Sequence, residues 1–499
     1  MRLSLRKNIN RTALCLLLAF CMLVSFACGG ADSEETTRKK KKPVTTTVET
    51  VEDPDSEKIP PVSEDPDGGF TVMNFDLDSV DPSDASTFID HYHPDFFGVQ
   101  NADALLLSSI SPSEEDYTCL VSGEGKGKHN ALYFKTDCFE IVRNKNISLT
   151  AAPLERNEGD AELVYALLDP VASDGYIALF STSLDSGEEL EQQMFYLYSK
   201  FRCYTSYYTT VVMGALRSPE GSEGYEKLTS GGMLTYGTSS EAGDIYVCCA
   251  ENVQGTAVTS DGIDSEASLV TAVAVEPPYS IDLDGKMIAL TFDDGPQSTE
   301  GLTDKILSVL EEHNAKATFF LIGKMLTPNN PIQRSLAARE HELGHETGNH
   351  TYDHKSYGSF ANEKALLQNL ADADALIEEC TGGFKATLLR PPGGTVKQRV
   401  NVDRPIINWN VDTNDWNISK YTPDDVYAHV VNYANDGFIV LMHDVRHNSP
   451  GAIEDIMTWL DNNDYQCVTV SELMEFSDVQ MSAGYIYRSA EYTERVTFG

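Results

Sequence analysis

Hydrophobic and polar positions follow two different patterns along the chain. Between residues 70 and 276, short apolar runs alternate with polar, turn-rich segments, which is the spacing of strands in a β-sandwich. Two segments, 83–92 and 188–202, instead carry apolar residues at helical spacing. The clearest strand candidates are residues 70–75, 131–134, 176–180, 210–213 and 244–248. This region, 70–277, is predicted to be a separate α+β domain with a two-layer, sandwich-like core.

From residue 278 onwards the pattern changes to alternating strands and helices. Pro277 and Pro278 mark the boundary, because consecutive prolines continue neither a helix nor a β-ladder. The predicted strands are 287–291, 317–321, 387–389, 406–411, 438–442 and 467–470, and the predicted helices are 302–313, 332–343, 363–380, 423–435 and 453–462. Repeated βα units predict a parallel sheet or barrel, here over residues 278–478 with a tail at 479–499.

The first 69 residues have the composition of a leader and a tether. Basic residues precede an apolar run at 12–27, too short for a secure membrane span, so residues 1–28 are predicted to be an export signal. Residues 24–30 resemble a lipobox, which implies lipidation of Cys28, with simple secretion as the alternative. Residues 29–69 are polar and are predicted to be a disordered linker. Either alternative places the protein outside the cytoplasmic membrane.

The charge balance narrows the range of partners. The chain has 77 acidic and 37 basic residues, a formal net charge of −40. The electrostatic field of such a negatively charged chain repels polyanions, so no nucleic-acid partner is expected. Of the ten cysteines none forms a CxxC pair, which argues against a zinc knuckle or a thioredoxin-like site.

Acidic and histidine residues at strand ends suggest a metal centre. Asp293 and Asp294 follow the first barrel strand, so one can bind a cation while the other acts as a base, although Asp-Asp-Gly also forms ordinary turns. His350 and His354 are four residues apart, a spacing that on a helical turn places both imidazoles on one face. With one aspartate they would make a two-histidine, one-carboxylate set for zinc or another divalent ion.

Three further segments follow strands and would face the same rim. They contain Arg390, Asp412 with Asp415, and His443. An arginine beside a carboxylate stabilises its ionised form, and an aspartate beside a histidine orients the ring and raises its pKa. Taken singly, Arg390, Asp412 and His443 are better explained as a surface ion pair, a helix cap and a loop histidine.

Five ordered motifs resemble the NodB-type polysaccharide deacetylases of carbohydrate esterase family 4. They are TFDDGP at 291–296, HTxxH at 350–354, RxPxG at 390–394, DxxDW at 412–416 and LxHD at 441–444. The resemblance implies a distorted (β/α) barrel and the role of each matching residue. Asp294, His350 and His354 would bind one divalent ion, with zinc favoured over cobalt or nickel. Asp293 would be the base that activates water, and His443 the acid that protonates the leaving group.

The remaining motif residues would support this chemistry. By the same resemblance, Arg390 would hold Asp293 ionised and Asp415 would tune His443, with Asp412 as the rival for that role. The backbone N–H of Gly393 would stabilise the oxyanion, although the family commonly has a large side chain at this position. Two apolar residues would enclose the acetyl methyl group, Trp416 and Leu441.

The expected substrate is an acetylated extracellular polysaccharide, with the N-acetylglucosamine of peptidoglycan first and O-acetyl groups as an alternative. An exported protein that is tethered through an N-terminal lipid meets the cell wall before other glycans. Two other functions remain open at this stage: a non-catalytic, wall-binding lipoprotein, and a phosphodiesterase that acts through the first domain.

The first domain resembles a degenerate endonuclease/exonuclease/phosphatase fold in the order of its segments. Residues 72–75, 94–100, 129–134 and 211–214 match strands of that family. Asn101 stands where the family has a metal-binding Glu, and Ala215 stands in place of the Asp of Gly-Asp-Phe-Asn. This domain is therefore predicted to be catalytically inactive.

Overall fold

A computed structural model describes residues 69–110, 112, 115–123, 127–149, 162–171, 175–184, 190–216, 236–240, 243–248, 268–273, 281–395, 402–491 and 493–495. The predicted signal with Cys28, nearly all of the linker, and the Pro277–Pro278 boundary lie outside the described residues. No helix among the described residues is long and apolar enough to cross a membrane.

The first region is built from two β-sheets that pack face to face. One sheet has five strands in the order β11-β1-β2-β4-β3, and the other has six in the order β5-β6-β7-β8-β10-β9. Their interface is a buried apolar cluster to which Phe70, Phe96 and Leu132 contribute from one sheet and Leu179 and Val211 from the other. The strands are β1 Gly69–Asp76, β2 Phe96–Ala102, β3 Tyr117–Val121, β4 His129–Lys135, β5 Phe139–Ser148, β6 Glu162–Pro170, β7 Ile177–Ser183, β8 Thr209–Ala215, β9 Tyr236–Ser240, β10 Gly243–Cys248 and β11 Ser268–Val273.

Helices cover the outer faces of this sandwich. α1 (Pro82–Tyr92) and α2 (Ala104–Ile110) pack on the first sheet, where Phe75 and Val99 meet Ile89. Asp81 caps α1 by accepting from Ser83 N, and Pro82 suits the first turn. α3 (Leu190–Thr205) packs on the second sheet. The result is an α/β/β/α arrangement of four layers.

The second region is a distorted parallel barrel, as the βα pattern predicted. Its main sheet runs β14-β13-β12-β17-β16, with β18 beside β12. Its strands are β12 Lys286–Asp293, β13 Thr318–Leu321, β14 Glu346–Asn349, β15 Ile406–Ile407, β16 Val411–Asp412, β17 Phe438–His443 and β18 Tyr465–Cys467. The surrounding helices are α4 Leu302–Glu312, α5 Pro331–Glu342, α6 Glu363–Cys380, α7 Pro423–Tyr433, α8 Asn448–Asn462 and α9 Val470–Phe476. Side chains from the strands and from α4, α7 and α8 fill one buried core.

Three predicted strands differ from the structure. In place of the strand predicted at 387–389, Leu389 forms two isolated β-bridges, one with Asn349 and one with Ile406. The strand predicted at 406–411 is divided into β15 and β16, which have different partners. The prediction that 467–470 is one strand is wrong, because Thr469 forms a capping box with Glu472 and starts α9.

The predicted tail contributes to the barrel wall. β19 (Tyr485–Tyr487) runs parallel to β15, and β20 (Thr493–Arg495) pairs antiparallel with β19. The backbone of Asn408 also donates to Tyr487 O. The predicted tail therefore lies beside β15, the strand that follows Leu389.

The sandwich and the barrel share a buried boundary at the end where the barrel strands begin. Val470 N donates to Thr318 Oγ1 at the start of β13, which places α9 across this end. Tyr204 of α3 packs edge-on against Phe476 at 5.6 Å and donates a hydrogen bond to Glu475. Glu475 is paired with lysines from the sandwich, Lys145 and Lys200. Burial opposes its ionisation, but the lysines outweigh burial and lower the pKa of Glu475 to about 2.

Glu340 in α5 is an acidic residue buried inside the barrel. Both of its carboxyl oxygens are buried and have no hydrogen-bond partner within the described part of the chain. Burial, followed by the charge of Asp444, raises the pKa of Glu340 well above the ordinary 4.5. A raised pKa means that folding is favoured most below that ordinary value and is penalised as the pH rises.

Replacing Glu340 by methionine is expected to raise the free energy of unfolding at pH 7.5 by about 1–3 kcal/mol, because an unsatisfied buried acid is removed. The gain should shrink at pH 4, where the acid is neutral in both states. Denaturant unfolding at the two pH values measures the difference. Glu342→Met, two residues further on at an exposed position, is the matched control and should change little. Equal stability of E340M and wild type at pH 7.5 would contradict this account.

Candidate active site

The candidate base and acid lie side by side at the ends of two parallel strands. Asp293 ends β12 and His443 ends β17, and the two residues are direct partners in the register of these strands. Two residues earlier, Thr291 is paired with Leu441 on the same face, because side chains alternate along a strand. Both side chains therefore project at the carboxyl end of the barrel, where such folds carry their chemistry.

The structure brings the three predicted metal ligands together. Asp294 follows β12 with a left-handed backbone, φ of 77°. Its Oδ1 lies 3.0 Å from His354 Nε2 and 3.5 Å from His350 Nε2. Two ligands that share one zinc ion at ordinary bond lengths are separated by about 3.3 Å. The spacing therefore fits a single divalent ion.

The two histidines are not on a helix, which corrects the sequence prediction. β14 ends at Asn349, and the segment that follows is a loop in which Thr351 and His354 have φ of 67° and 58°. A helix is excluded by these left-handed residues. The imidazoles meet through this loop, with ring centroids 5.2 Å apart.

Hydrogen bonding prepares these groups for a cation. His350 Nδ1 lies 2.7 Å from Arg390 O and donates to it, which orients the ring so that Nε2 lies 3.5 Å from Asp294 Oδ1. Asp294 Oδ1 is buried and makes no hydrogen bond of good geometry within the described residues. Burial opposes its ionisation, but His350 and His354 outweigh burial and hold the pKa of Asp294 below its usual range. An unpaired carboxylate oxygen between two imidazole nitrogens suits zinc, cobalt or nickel.

Arg390 fixes one oxygen of the candidate base. Its guanidinium is fully buried and donates to Asp293 Oδ1 at 2.8 Å and to Thr291 Oγ1 at 2.7 Å. It also stacks on Phe320, with Cζ 4.1 Å from the ring centroid. The other oxygen, Asp293 Oδ2, lies on the metal side, 3.6 Å from His350 Nε2. Asp293 therefore presents one oriented oxygen next to the candidate metal position.

Asp415, and not Asp412, contacts the candidate acid. Asp415 is fully buried; its Oδ1 lies 2.7 Å from His443 Nδ1, and its Oδ2 accepts from His443 N and from Ser449. Asp412 is exposed and caps the turn at Asn414 instead. Burial opposes protonation of His443, but Asp415 outweighs burial and raises the pKa of the imidazole to about 9. The rival assignment to Asp412 is thereby excluded.

The other predicted contact residues are Gly393, Trp416 and Leu441. Gly393 has φ of 66°, and a Cβ built on it would meet nothing within 4 Å, so the missing family side chain leaves open space. Leu441 is buried at 4% exposure, whereas Trp416 is 53% exposed. Leu441 is the register partner of Thr291, and Trp416 directly follows Asp415 in the chain. The role of the Gly393 N–H stays a prediction.

Sequence reasoning assigned no role to Asp444, although it belongs to the LxHD motif. Asp444 is fully buried, accepts a hydrogen bond from Thr303 Oγ1 and packs against the Cα of Gly295. Burial raises its pKa to about 7. Thr303 in turn accepts from Gln297 N at 2.8 Å. The end of β17 is therefore tied to the turn that carries Asp294, a link that only the fold reveals.

The chain belongs to the polysaccharide deacetylase family. The family profile matches residues 280–404. A peptidoglycan-N-acetylglucosamine deacetylase of Bacillus cereus is 34% identical over 201 residues, which cover 38% of this chain and 89% of that protein. A peptidoglycan-N-acetylglucosamine deacetylase of Listeria monocytogenes is 38% identical over 191 residues, 38% of this chain and 39% of the relative. The chain thus spans about two fifths of the length of this longer relative.

Two solved structures are similar to part of this chain. A peptidoglycan deacetylase of Bacillus subtilis is 32% identical and covers 40% of this chain and 94% of its own, with a TM-score of 0.37. A family 4 acetyl xylan esterase of Clostridium thermocellum, solved with a cobalt ion, is 30% identical and covers 42% of this chain and all of its own, with a TM-score of 0.38. The NodB-type barrel expected from the five motifs is confirmed, whereas the resemblance of the sandwich to a phosphatase-like fold stays a prediction.

Proposed function

We propose that this protein is a metal-dependent hydrolase that removes acetyl groups from an extracellular polysaccharide. The observation that carries the proposal is the cluster formed by the buried Oδ1 of Asp294 with Nε2 of His350 and of His354, beside a base and an acid on neighbouring strands. A site that only bound wall polymer would gain nothing from burying an arginine against Asp293 or from raising the pKa of His443. The non-catalytic alternative is therefore disfavoured.

Each protein group has a distinct task in this proposal. Asp294, His350 and His354 would hold the divalent ion, which when bound supplies a Lewis acid for the acetyl carbonyl and lowers the pKa of water. Asp293, with one oxygen held by Arg390, takes the proton of the attacking water through its other oxygen.

The second proton transfer belongs to His443. In the metal-free protein the pKa of the imidazole is raised to about 9, which favours the protonated form that can protonate the departing amine or alcohol. Asp415 keeps the ring in place through Nδ1, so Nε2 carries the proton that is transferred. The Gly393 N–H is proposed to donate to the developing oxyanion, and Trp416 and Leu441 to border the acetyl group.

The proposed substrate is the N-acetylglucosamine of peptidoglycan. Similar proteins are named for this sugar in Listeria monocytogenes and Bacillus cereus, and another from Bacillus subtilis is named for N-acetylmuramic acid. Acetyl esters are the alternative, since one similar structure is an acetyl xylan esterase. The open space at Gly393 would accommodate a substituted sugar at the rim.

The remaining regions are assigned by proposal. Residues 1–28 would export the protein, with Cys28 either lipidated on the outer face of the cytoplasmic membrane or the chain secreted. The sandwich is proposed to be inactive. The structure supports this: Asn101, which replaces the expected ligand, donates to Asp76 Oδ1 at 2.6 Å, and an amide nitrogen offers no lone pair to a metal. Ala215 supplies no side-chain oxygen either, so a phosphodiesterase is disfavoured.

Acetate release tests the proposal. The full chain, loaded with zinc, is incubated with peptidoglycan, chitin oligomers and acetylated xylan, with and without a chelator. We expect acetate from at least one N-acetylated glycan and its loss on chelation, with recovery when zinc or cobalt is restored. Absence of acetate from every glycan by a chain shown to bind metal would overturn the catalytic proposal.

A further inference from the structure

The loop that carries both histidines has an improbable backbone. Thr351 and His354 have positive φ, which is uncommon for residues other than glycine and most unfavourable for a β-branched one. Such a conformation persists only where the surroundings determine it. The groups that hold this loop therefore decide whether His350 and His354 can meet on one ion.

The side chain of Asn349 is the first of these groups. It is fully buried at the end of β14, and its Oδ1 accepts from Thr351 N at 2.7 Å. Its Nδ2 donates to Leu370 O at 2.9 Å and to Asp374 Oδ1 at 2.7 Å, both in α6. One carboxamide thus joins the start of the histidine loop to a helix of the barrel wall.

An ion pair fixes the orientation of this amide. Arg404 donates to both oxygens of Asp374, at 2.8 and 2.9 Å, and also to Ala386 O. Because Asp374 is an acceptor only, it selects the Nδ2 side of the amide, and Oδ1 of Asn349 is left to face Thr351 N. A bidentate pair of this kind is geometrically specific.

We propose that Asn349, oriented by the Asp374–Arg404 pair, is a positioning residue that sets the affinity of the site for its divalent ion. The inference rests on the proposed metal site, but it concerns binding and not acetate release. Outer groups that orient metal ligands are worth about 10- to 100-fold in affinity. We therefore expect Asn349→Ala and Asp374→Ala to weaken zinc binding by about that factor.

The chain offers a matched control. Asp403 also pairs with Arg404, at 2.8 Å through Nε, but it is largely exposed and does not touch Asn349. Asp403→Ala therefore removes a carboxylate from the same arginine without disturbing the amide. We expect its zinc affinity to remain within about twofold of wild type, since an exposed pair contributes little.

The experiment measures zinc affinity of the full chain by competition with a chromophoric chelator, together with thermal unfolding of the metal-free proteins. A positioning role requires that N349A and D374A bind zinc more weakly than wild type, beyond any loss of metal-free stability. Unchanged zinc affinity in a folded N349A or D374A protein would overturn the positioning role and leave the deacetylase proposal intact. If N349A does not fold, D374A alone decides. A wild-type chain that binds no divalent ion would overturn the metal site and this inference together.

Discussion

Replacing Asp293 by asparagine is expected to lower kcat for acetate release by about 10²- to 10⁴-fold, the usual contribution of a positioned general base. Asparagine has nearly the same shape, so the substrate can still bind, but an amide cannot take a proton from water. The loss should therefore appear in kcat with little change in KM. Initial rates of acetate release on a soluble chitin oligomer measure both constants.

Measurements of zinc content and of the free energy of unfolding distinguish a loss of the catalytic base from a loss of metal or of folding. Asp293 is not among the three residues whose ligand atoms cluster, so D293N should bind zinc as wild type does. The substitution also leaves Arg390 buried without its carboxylate, which is expected to lower the free energy of unfolding by about 3–5 kcal/mol. Assays are therefore run well below the unfolding temperature of the variant. A folded, zinc-loaded D293N protein that retains more than a tenth of the wild-type kcat would exclude Asp293 as the base.

The architecture of the barrel could be predicted from sequence because its signals are local. Each βα unit has a clear change of hydrophobic period, and α6 is found at the predicted bounds, Glu363–Cys380. The site residues could be predicted because parallel strands end at one rim, so motifs that follow separate strands converge there. Asp293 and His443 are 150 residues apart in sequence and yet become partners in register.

Other features depend on tertiary contacts that no local pattern specifies. The segment 406–411 has the composition of one strand, but Asn408 N donates to Tyr487 O and Asn410 N donates to Ile439 O, so the chain changes partner midway. His350 and His354 have helical spacing, but their loop is determined by Asn349 and α6. The start of α9 is different: its capping box, Thr469 with Glu472, could have been recognised in the sequence.

Replacing Asp415 by asparagine is expected to move the alkaline limb of the kcat profile to lower pH. His443 acts in its protonated form, so activity falls as the pH rises through its pKa, which Asp415 holds at about 9. A divalent ion nearby lowers that value in the loaded protein, because like charges repel. Asparagine can still accept from Nδ1, so the ring orientation survives while the stabilising negative charge is lost. We expect the limb to move down by at least about one pH unit, which lowers kcat at pH 8 by about twofold for a shift of one unit and about tenfold for two.

The pH profile distinguishes a tuned acid from a merely structural aspartate. If Asp415 only held the loop in place, D415N would lower kcat equally at every pH and the limb would stay where it is. Asp412→Asn is the matched control, because this carboxylate precedes the same loop, is exposed and accepts a hydrogen bond from Asn414 N. Its profile should overlay that of wild type. Since the acid form of His443 is needed only for the leaving group, D415N should recover part of its rate on an acetyl ester with a better leaving group than the amine. A limb that shifts in D412N and not in D415N would reverse the assignment of the two aspartates.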